Sequence, residues 1–229
     1  MAVGIFLNFE KLALSIIEDE ISKMTNDIVN VYDDAIGELD DEKFIHNLYH
    51  GCIVATFIVN LYETTLNTII GRRLGCEENE IFKTSHDVKL QLICTMFHVD
   101  LSEIKSDNSY SYLRSMIKLR NDITHFKSNM ITEGHYITTE NKIPMGTSKD
   151  TLALQFTKDY MEKHYKGVLD LLELICQKCN LVLYKDCLVI DCDGRDSACE
   201  FVLTKDVYEE RDRQFPSFAD STAGGYQGI

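Results

Sequence analysis

No proline interrupts the chain before Pro144, and only Pro216 follows it in 229 residues. Proline stops helices most reliably, because it lacks an amide hydrogen and its ring clashes with the preceding turn. Glycine is also sparse, at twelve residues. Long uninterrupted helices are therefore open to this chain, and a sandwich of short strands joined by frequent turns is disfavoured. The length suffices for one core-bearing domain with a modest extension, without help from disulfides or metal.

The apolar periodicity fills this space with helices. Across residues 3–35, Ile17, Ile21, Met24, Ile28 and Val31 recur at steps of four and three, which predicts an amphipathic helix. Gly37 and the acidic run behind it read as a turn, with Asp40 or Asp41 capping the next helix. That second helix spans 42–74, with a stripe of Ile45, Leu48, Cys52, Ala55, Val59, Tyr62, Leu66 and Ile69. Its middle is apolar nearly all round, which places it at the centre of a bundle. Shorter helices follow over 87–97 and 110–127, joined by a polar connection at 102–109. The core face of the latter uses Leu113, Met116, Ile117, Leu119 and Ile123. Residues 128–148 read as a long loop with a small hairpin near His135. A fifth helix over 149–178 buries Phe156, Tyr160, Val168, Leu172 and Ile175.

Beyond residue 178 the period changes. Leu181–Tyr184 and Cys187–Ile190 are β-type runs, Asp191–Gly194 is a turn, and Phe201–Leu203 reads as a third strand. The expected fold is mainly α: an up-and-down helical bundle over 1–178, a small β-hairpin or sheet over 179–213, and a disordered tail over 214–229.

Charge and cysteine usage narrow the setting. The first residues lack the basic leader of a secretion signal, and the apolar stretch Cys52–Leu61 is too short and too polar to span a bilayer. The expectation is a cytoplasmic protein with no membrane association. Its eight cysteines are then reduced thiols. Cys176-x2-Cys179 falls at a helix end rather than on a zinc-knuckle turn, so no metal and no cofactor is expected. A net charge of −14 opposes non-specific nucleic-acid binding. The balance reverses locally: from Tyr112 to Lys127, Arg114, Lys118, Arg120 and Lys127 face only Asp122.

That basic segment contains Arg120-Asn121-Asp122-Ile123-Thr124-His125. Metal-free RNA cleavage needs a group to take the 2′-hydroxyl proton and a cation for the charge growing on the phosphate. A histidine titrating near neutrality suits the first task, and the planar, always charged guanidinium of an arginine suits the second. Five residues apart, the two lie about 140° apart on an ideal helix, so a helix end, a turn or a second copy of the chain is needed to bring them together.

The Arg-Asn-x3-His pattern, placed on an amphipathic helix with a long helix after it, resembles the signature of HEPN domains, a family of small helical bundles. The likeness covers the motif and, more loosely, the helical organisation of residues 1–178. It implies a homodimer in which two motifs face each other, forming a composite endoribonuclease site whose products carry a 2′,3′-cyclic phosphate and a 5′-hydroxyl. It also implies a toxin or antiphage-defence setting, with an antitoxin or activator protein as partner. In that reading His125 is the general base or acid, Arg120 stabilises the phosphate, and Asn121 orients it. Lys127 and Lys118 contact the RNA backbone. Some family members carry a tyrosine two residues after the histidine; Lys127 stands there in this chain, which argues against that mode of regulation. The alternative is a non-catalytic, HEPN-like dimerisation module that binds a protein partner or a nucleotide.

Plainer roles exist for the same residues. Arg120 and His125 can cap helix carbonyls and pair with Asp122. Glu63, on the apolar second helix, can reach Arg120, but an exposed position is the default for a carboxylate. His46 and His50 stand at metal-ligand spacing without an acidic ligand beside them, and a partly exposed helix face is expected. Arg72-Arg73 reads as favourable charge at a helix C-terminus.

Overall fold

A computed structural model describes residues 9–32, 35–39, 41–74, 83–124, 155–183 and 202–204. Within them the chain is mainly α. It forms α1 (Phe9–Lys23), α2 (Asp41–Leu74), α3 (His86–Phe97), α4 (Leu101–Lys105), α5 (Asn108–Thr124) and α6 (Lys158–Lys178). Two antiparallel pairs accompany the helices: β1 (Val29–Tyr32) with β2 (Ala35–Leu39), and β3 (Leu181–Leu183) with β4 (Val202–Thr204). A mainly-α bundle with a small C-terminal β element is what the sequence predicted. The loop expected over 128–148, the β run at 187–190, the turn at 191–194 and the tail at 214–229 lie outside the described residues.

Helix α2 is the axis. At 34 residues it is about 50 Å long, given a rise of 1.5 Å per residue. It packs against α1, α3, α5 and α6. Val54, Ala55, Ile58, Val59, Leu61, Tyr62, Leu66, Ile69 and Ile70 are all buried, while Thr56, Phe57, Asn60, Glu63 and Thr64 on the other side are half-buried. Within Glu42–Gly71 an 18-residue window has a mean hydropathy of 1.3, long and apolar enough to cross a bilayer, and 56 % of that window is buried within the bundle. Part of this helix, unlike the Cys52–Leu61 run alone, therefore meets the length and composition of a span. The first turns of its stripe differ from the expected one. Ile45 is 63 % exposed, and Asn47 and His50 are buried instead.

Asn47 explains why α1 stops at Lys23 rather than running to residue 35. Its side-chain amide accepts a hydrogen bond from Thr25 N–H (3.1 Å) and donates to Thr25 O (2.7 Å) and Phe156 O (2.8 Å). Thr25 thus spends both its backbone groups on another element, and its hydroxyl accepts from Asp27 N–H. Side chains of the Thr-Asn-Asp type compete with helical bonding in this way. Met24 and Ile28 still reach the core, but from non-helical chain. Beyond them Val29 and Val31 enter a hairpin, and β-branched residues favour strands over helices. Its register pairs Val29 with Leu39, Asn30 with Glu38 and Tyr32 with Ala35. Gly37 therefore lies in strand β2, not in a turn.

The polar connection expected at 102–109 is also helical in part. The Asp100 carboxylate accepts from Ser102 N–H and starts α4; the Asp107 carboxylate accepts from Ser109 N–H and starts α5. Helix α6 begins at Lys158 rather than at 149, with the Thr157 hydroxyl accepting from Tyr160 N–H at its N-terminus; residues 149–154 lie outside the described ones. Its Gly167 faces the Tyr112 ring of α5 so closely that a Cβ there would fall 2.1 Å from the ring. A glycine at this position lets α5 and α6 meet. In the C-terminal pair, Leu181 stands opposite Thr204 and Leu183 opposite Val202. Val202 is fully buried in the same core cluster as Ile175 of α6.

Substituting Asn47 by leucine preserves approximate volume but removes three hydrogen bonds and strands the Thr25 and Phe156 backbone groups. At about 1 kcal/mol per bond, Asn47→Leu is expected to cost about 2–4 kcal/mol, read as a lowered denaturant midpoint with an unchanged slope.

Candidate functional site

Helix α5 carries two faces. Leu113, Met116 and Leu119 are buried in the core. On the other side Ser111, Arg114, Ser115, Lys118, Asn121 and Asp122 line an open groove of about 1160 Å³, whose opposite wall includes His86, Asp87 and Lys105. The spacing of three, four and seven residues is what one face of a helix requires.

Arg120 belongs to neither set. It leans toward α2, where its Nη2 lies 3.4 Å from Glu63 Oε1, with the two side chains 25 % and 32 % exposed. Its Nε is buried with no hydrogen-bond partner, as is Asn67 Oδ1, one turn beyond Glu63 on α2. The default exposed position for Glu63 is thus replaced by a cross-bundle pair. Asp122 is not the partner of Arg120; it lines the groove. A half-buried guanidinium needs an opposite charge, and α2 supplies one.

Asn121 is the next residue along, about 100° round the helix, and it is exposed to the groove with Lys118. Among the described residues, the sequence candidates therefore separate into Arg120 toward α2 and Asn121 with Lys118 in the groove. No turn intervenes up to Thr124, whose hydroxyl donates to Arg120 O (2.7 Å). His125 and Lys127 lie outside the described residues. The groove also holds two cations that were not singled out as binding residues, Arg114 and Lys105. Arg114 was legible, being four residues before Lys118 and seven before Asn121. Lys105 was not, since it comes from α4.

A second polar cluster joins α1 to α2. His50 Nδ1 lies 2.6 Å from Glu20 Oε2, Lys23 Nζ donates to Glu20 Oε1 (2.7 Å), and the rings of His46 and His50 meet edge-on at 4.4 Å. His46 Nε2 bonds Lys23 O (3.0 Å). His50 is buried rather than partly exposed. Hydrogen bonds from His50 and then Lys23 hold the Glu20 carboxyl below its ordinary value of 4.5. Among the described residues no group of three or more His, Cys, Asp or Glu is placed to hold a metal ion. Burial pushes the Cys176 and Cys179 thiols up to about 12, so both stay protonated, as small core hydrophobes do.

Two outcomes follow from these pairs. A double-mutant cycle on Glu63→Gln and Arg120→Gln is expected to give a coupling energy of about 1 kcal/mol, as for a partly solvated pair. A coupling near zero in denaturant titrations contradicts the pairing. For Glu20, the folded value is the depressed one. Its contribution is complete above the unfolded value near 4.5 and is lost as pH falls through the lower folded value. Glu20→Gln is therefore expected to lower stability at neutral pH and to flatten the loss of stability below about pH 4.5.

Comparison with models of known protein families, with curated proteins and with solved structures finds no match to this chain.

Proposed function

We propose that this chain is a metal-independent endoribonuclease of the HEPN type, working in the cytoplasm as a homodimer with a composite Arg120/His125 site. The observation that carries the reading is the setting of Arg120. It is a guanidinium fixed at the α2–α5 seam by Glu63, beside an Asn121 that opens onto a groove bearing Lys105, Arg114 and Lys118. An arginine held this way loses little further entropy on taking up a phosphate.

In this mechanism His125 of one copy removes the 2′-hydroxyl proton of the RNA. The 2′-oxygen attacks the adjacent phosphorus, and the bond from phosphorus to the 5′-oxygen breaks. His125 of the second copy returns a proton to that leaving oxygen, so the products are a 2′,3′-cyclic phosphate and a 5′-hydroxyl. Arg120 neutralises the charge on the non-bridging oxygens in the transition state, and Asn121 and Lys127 hold the phosphate backbone. The toxin or antiphage setting, with an antitoxin or activator, rests on the resemblance alone.

The Glu63 pair also favours a second reading. An arginine committed to a carboxylate can serve as a strut in a non-catalytic dimerisation module.

Cleavage of mixed RNAs in EDTA separates the two. Wild type is expected to cut and leave cyclic-phosphate ends. His125→Ala should lose about 10²–10⁴-fold in rate and Arg120→Ala about 10²–10³-fold, with all three remaining dimeric. A wild type as inert as both variants, where Arg120→Ala changes only stability, establishes the strut instead.

A further inference from the structure

The groove along α5 contains charges that the bundle does not use. Of its three carboxylates, Asp87 is occupied by Tyr110 Oη (3.1 Å), Lys105 Nζ (3.6 Å) and His86 Nε2 (3.7 Å). Asp107 is occupied by the backbone N–H and hydroxyl of Ser109. Only Asp122 remains. Against it stand Arg114 and Lys118, one helical turn apart, both exposed and neither within ion-pair distance of a carboxylate among the described residues. Counted formally the groove is neutral, three carboxylates against Lys105, Arg114 and Lys118, but two of its cations, Arg114 and Lys118, stand side by side without an ion pair among the described residues, in a chain whose net charge is −14.

The shape and chemistry of this surface fit one kind of ligand. From Ser111 to Asn121 the wall runs ten residues, about 15 Å at 1.5 Å per residue. Arg114 and Lys118 are separated along the helix by about one pitch, 5.4 Å, which suits neighbouring backbone phosphates. Serine hydroxyls stand between the cations; Tyr110 and Ile117 also line the groove but neither is exposed, so it presents no large exposed hydrophobic residue. A protein partner would need such residues as anchors.

We propose that this groove is the track for single-stranded RNA, with Arg114 and Lys118 on successive phosphates and Asn121 passing the strand toward Arg120. The assignment rests on the ribonuclease reading but makes a separate claim, because it concerns binding and uses residues outside the Arg120/His125 pair. It also accounts for an acidic chain acting on RNA: capture depends on a few local contacts rather than on a long-range field.

The test uses the full chain and a fluorescently labelled, 2′-O-methylated oligouridylate, which lacks the attacking hydroxyl and is not cut. Anisotropy titrations between about 50 and 200 mM salt give the affinity and its salt slope. Arg114→Gln and Lys118→Gln are each expected to weaken binding about three- to tenfold and to reduce the slope by about 0.7, the value for one single-strand phosphate contact. Arg114→Lys should restore most of the slope. Lys166→Gln, at an exposed lysine on α6, should bind as wild type. Groove variants that bind as wild type, or equal weakening by Lys166→Gln, overturn the proposal. So does a polyglutamate peptide that displaces the RNA with equal affinity. A parallel cleavage assay keeps the two claims apart. Groove-dependent binding without any cleavage sustains the track and sinks the ribonuclease. Cleavage with an unchanged KM in Arg114→Gln does the reverse.

Discussion

A helix with a buried face about half its circumference wide is stable only when several other helices share that face, and α2 is such a helix. Val54, Ala55, Ile58, Val59, Leu61, Tyr62, Thr65 and Leu66 at its centre are buried, and α1, α3, α5 and α6 pack against it. Burial of that surface at about 25 cal/mol per Å² is the main force gathering the bundle. The other long helices are amphipathic, and α6 packs on α5 and α1 as well as on α2. Helix α1 lies antiparallel along α2, with Glu10 beside Thr68 and Glu20 beside His50, and α5 packs on α6 where Gly167 admits the Tyr112 ring.

Three polar side chains of α2 act as fasteners. Asn47, His50 and Glu63 sit where hydrocarbon would otherwise be, and each is matched by a group brought from far along the chain: Thr25 and Phe156, Glu20, and Arg120. Hydrogen bonds in a poorly hydrated interior cost more to break than they contribute when made. Such contacts set the rotation of each outer helix about α2. For α5 the consequence is functional in the proposed mechanism. With Arg120 turned toward Glu63, the face seven residues long from Arg114 to Asn121 must point outward, and that face lines the groove.

Much of this was legible in the residue pattern. The bounds of α2, the core faces of α5 and α6 and the strand at Val202 all follow from periodicity. The errors have a common origin. The α1 pattern continues through Met24 and Ile28, yet the helix ends at Lys23, because Asn47, twenty-two residues away, captures Thr25. The run from Ser102 to Ser109 looks like a loop by polarity, yet Asp100 and Asp107 use their carboxylates to begin helices. Of the candidate site, Arg114, Lys118 and Asn121 could be placed on one face by spacing alone, whereas Lys105 and Glu63 enter from other helices.

The amino-acid sequence by itself determined that this chain is a helical bundle built on one central helix, and which stripe of most helices faces inward. That information is local, carried by apolar residues three and four apart, and needs no knowledge of partners. Only the tertiary structure decided where α1 yields to a hairpin, that Arg120 is tied to Glu63 fifty-seven residues away, and that α4 and α5 together line a groove in which Arg114 and Lys118 stand side by side. These depend on pairings between polar groups distant in the chain, for which a periodic pattern contains no term.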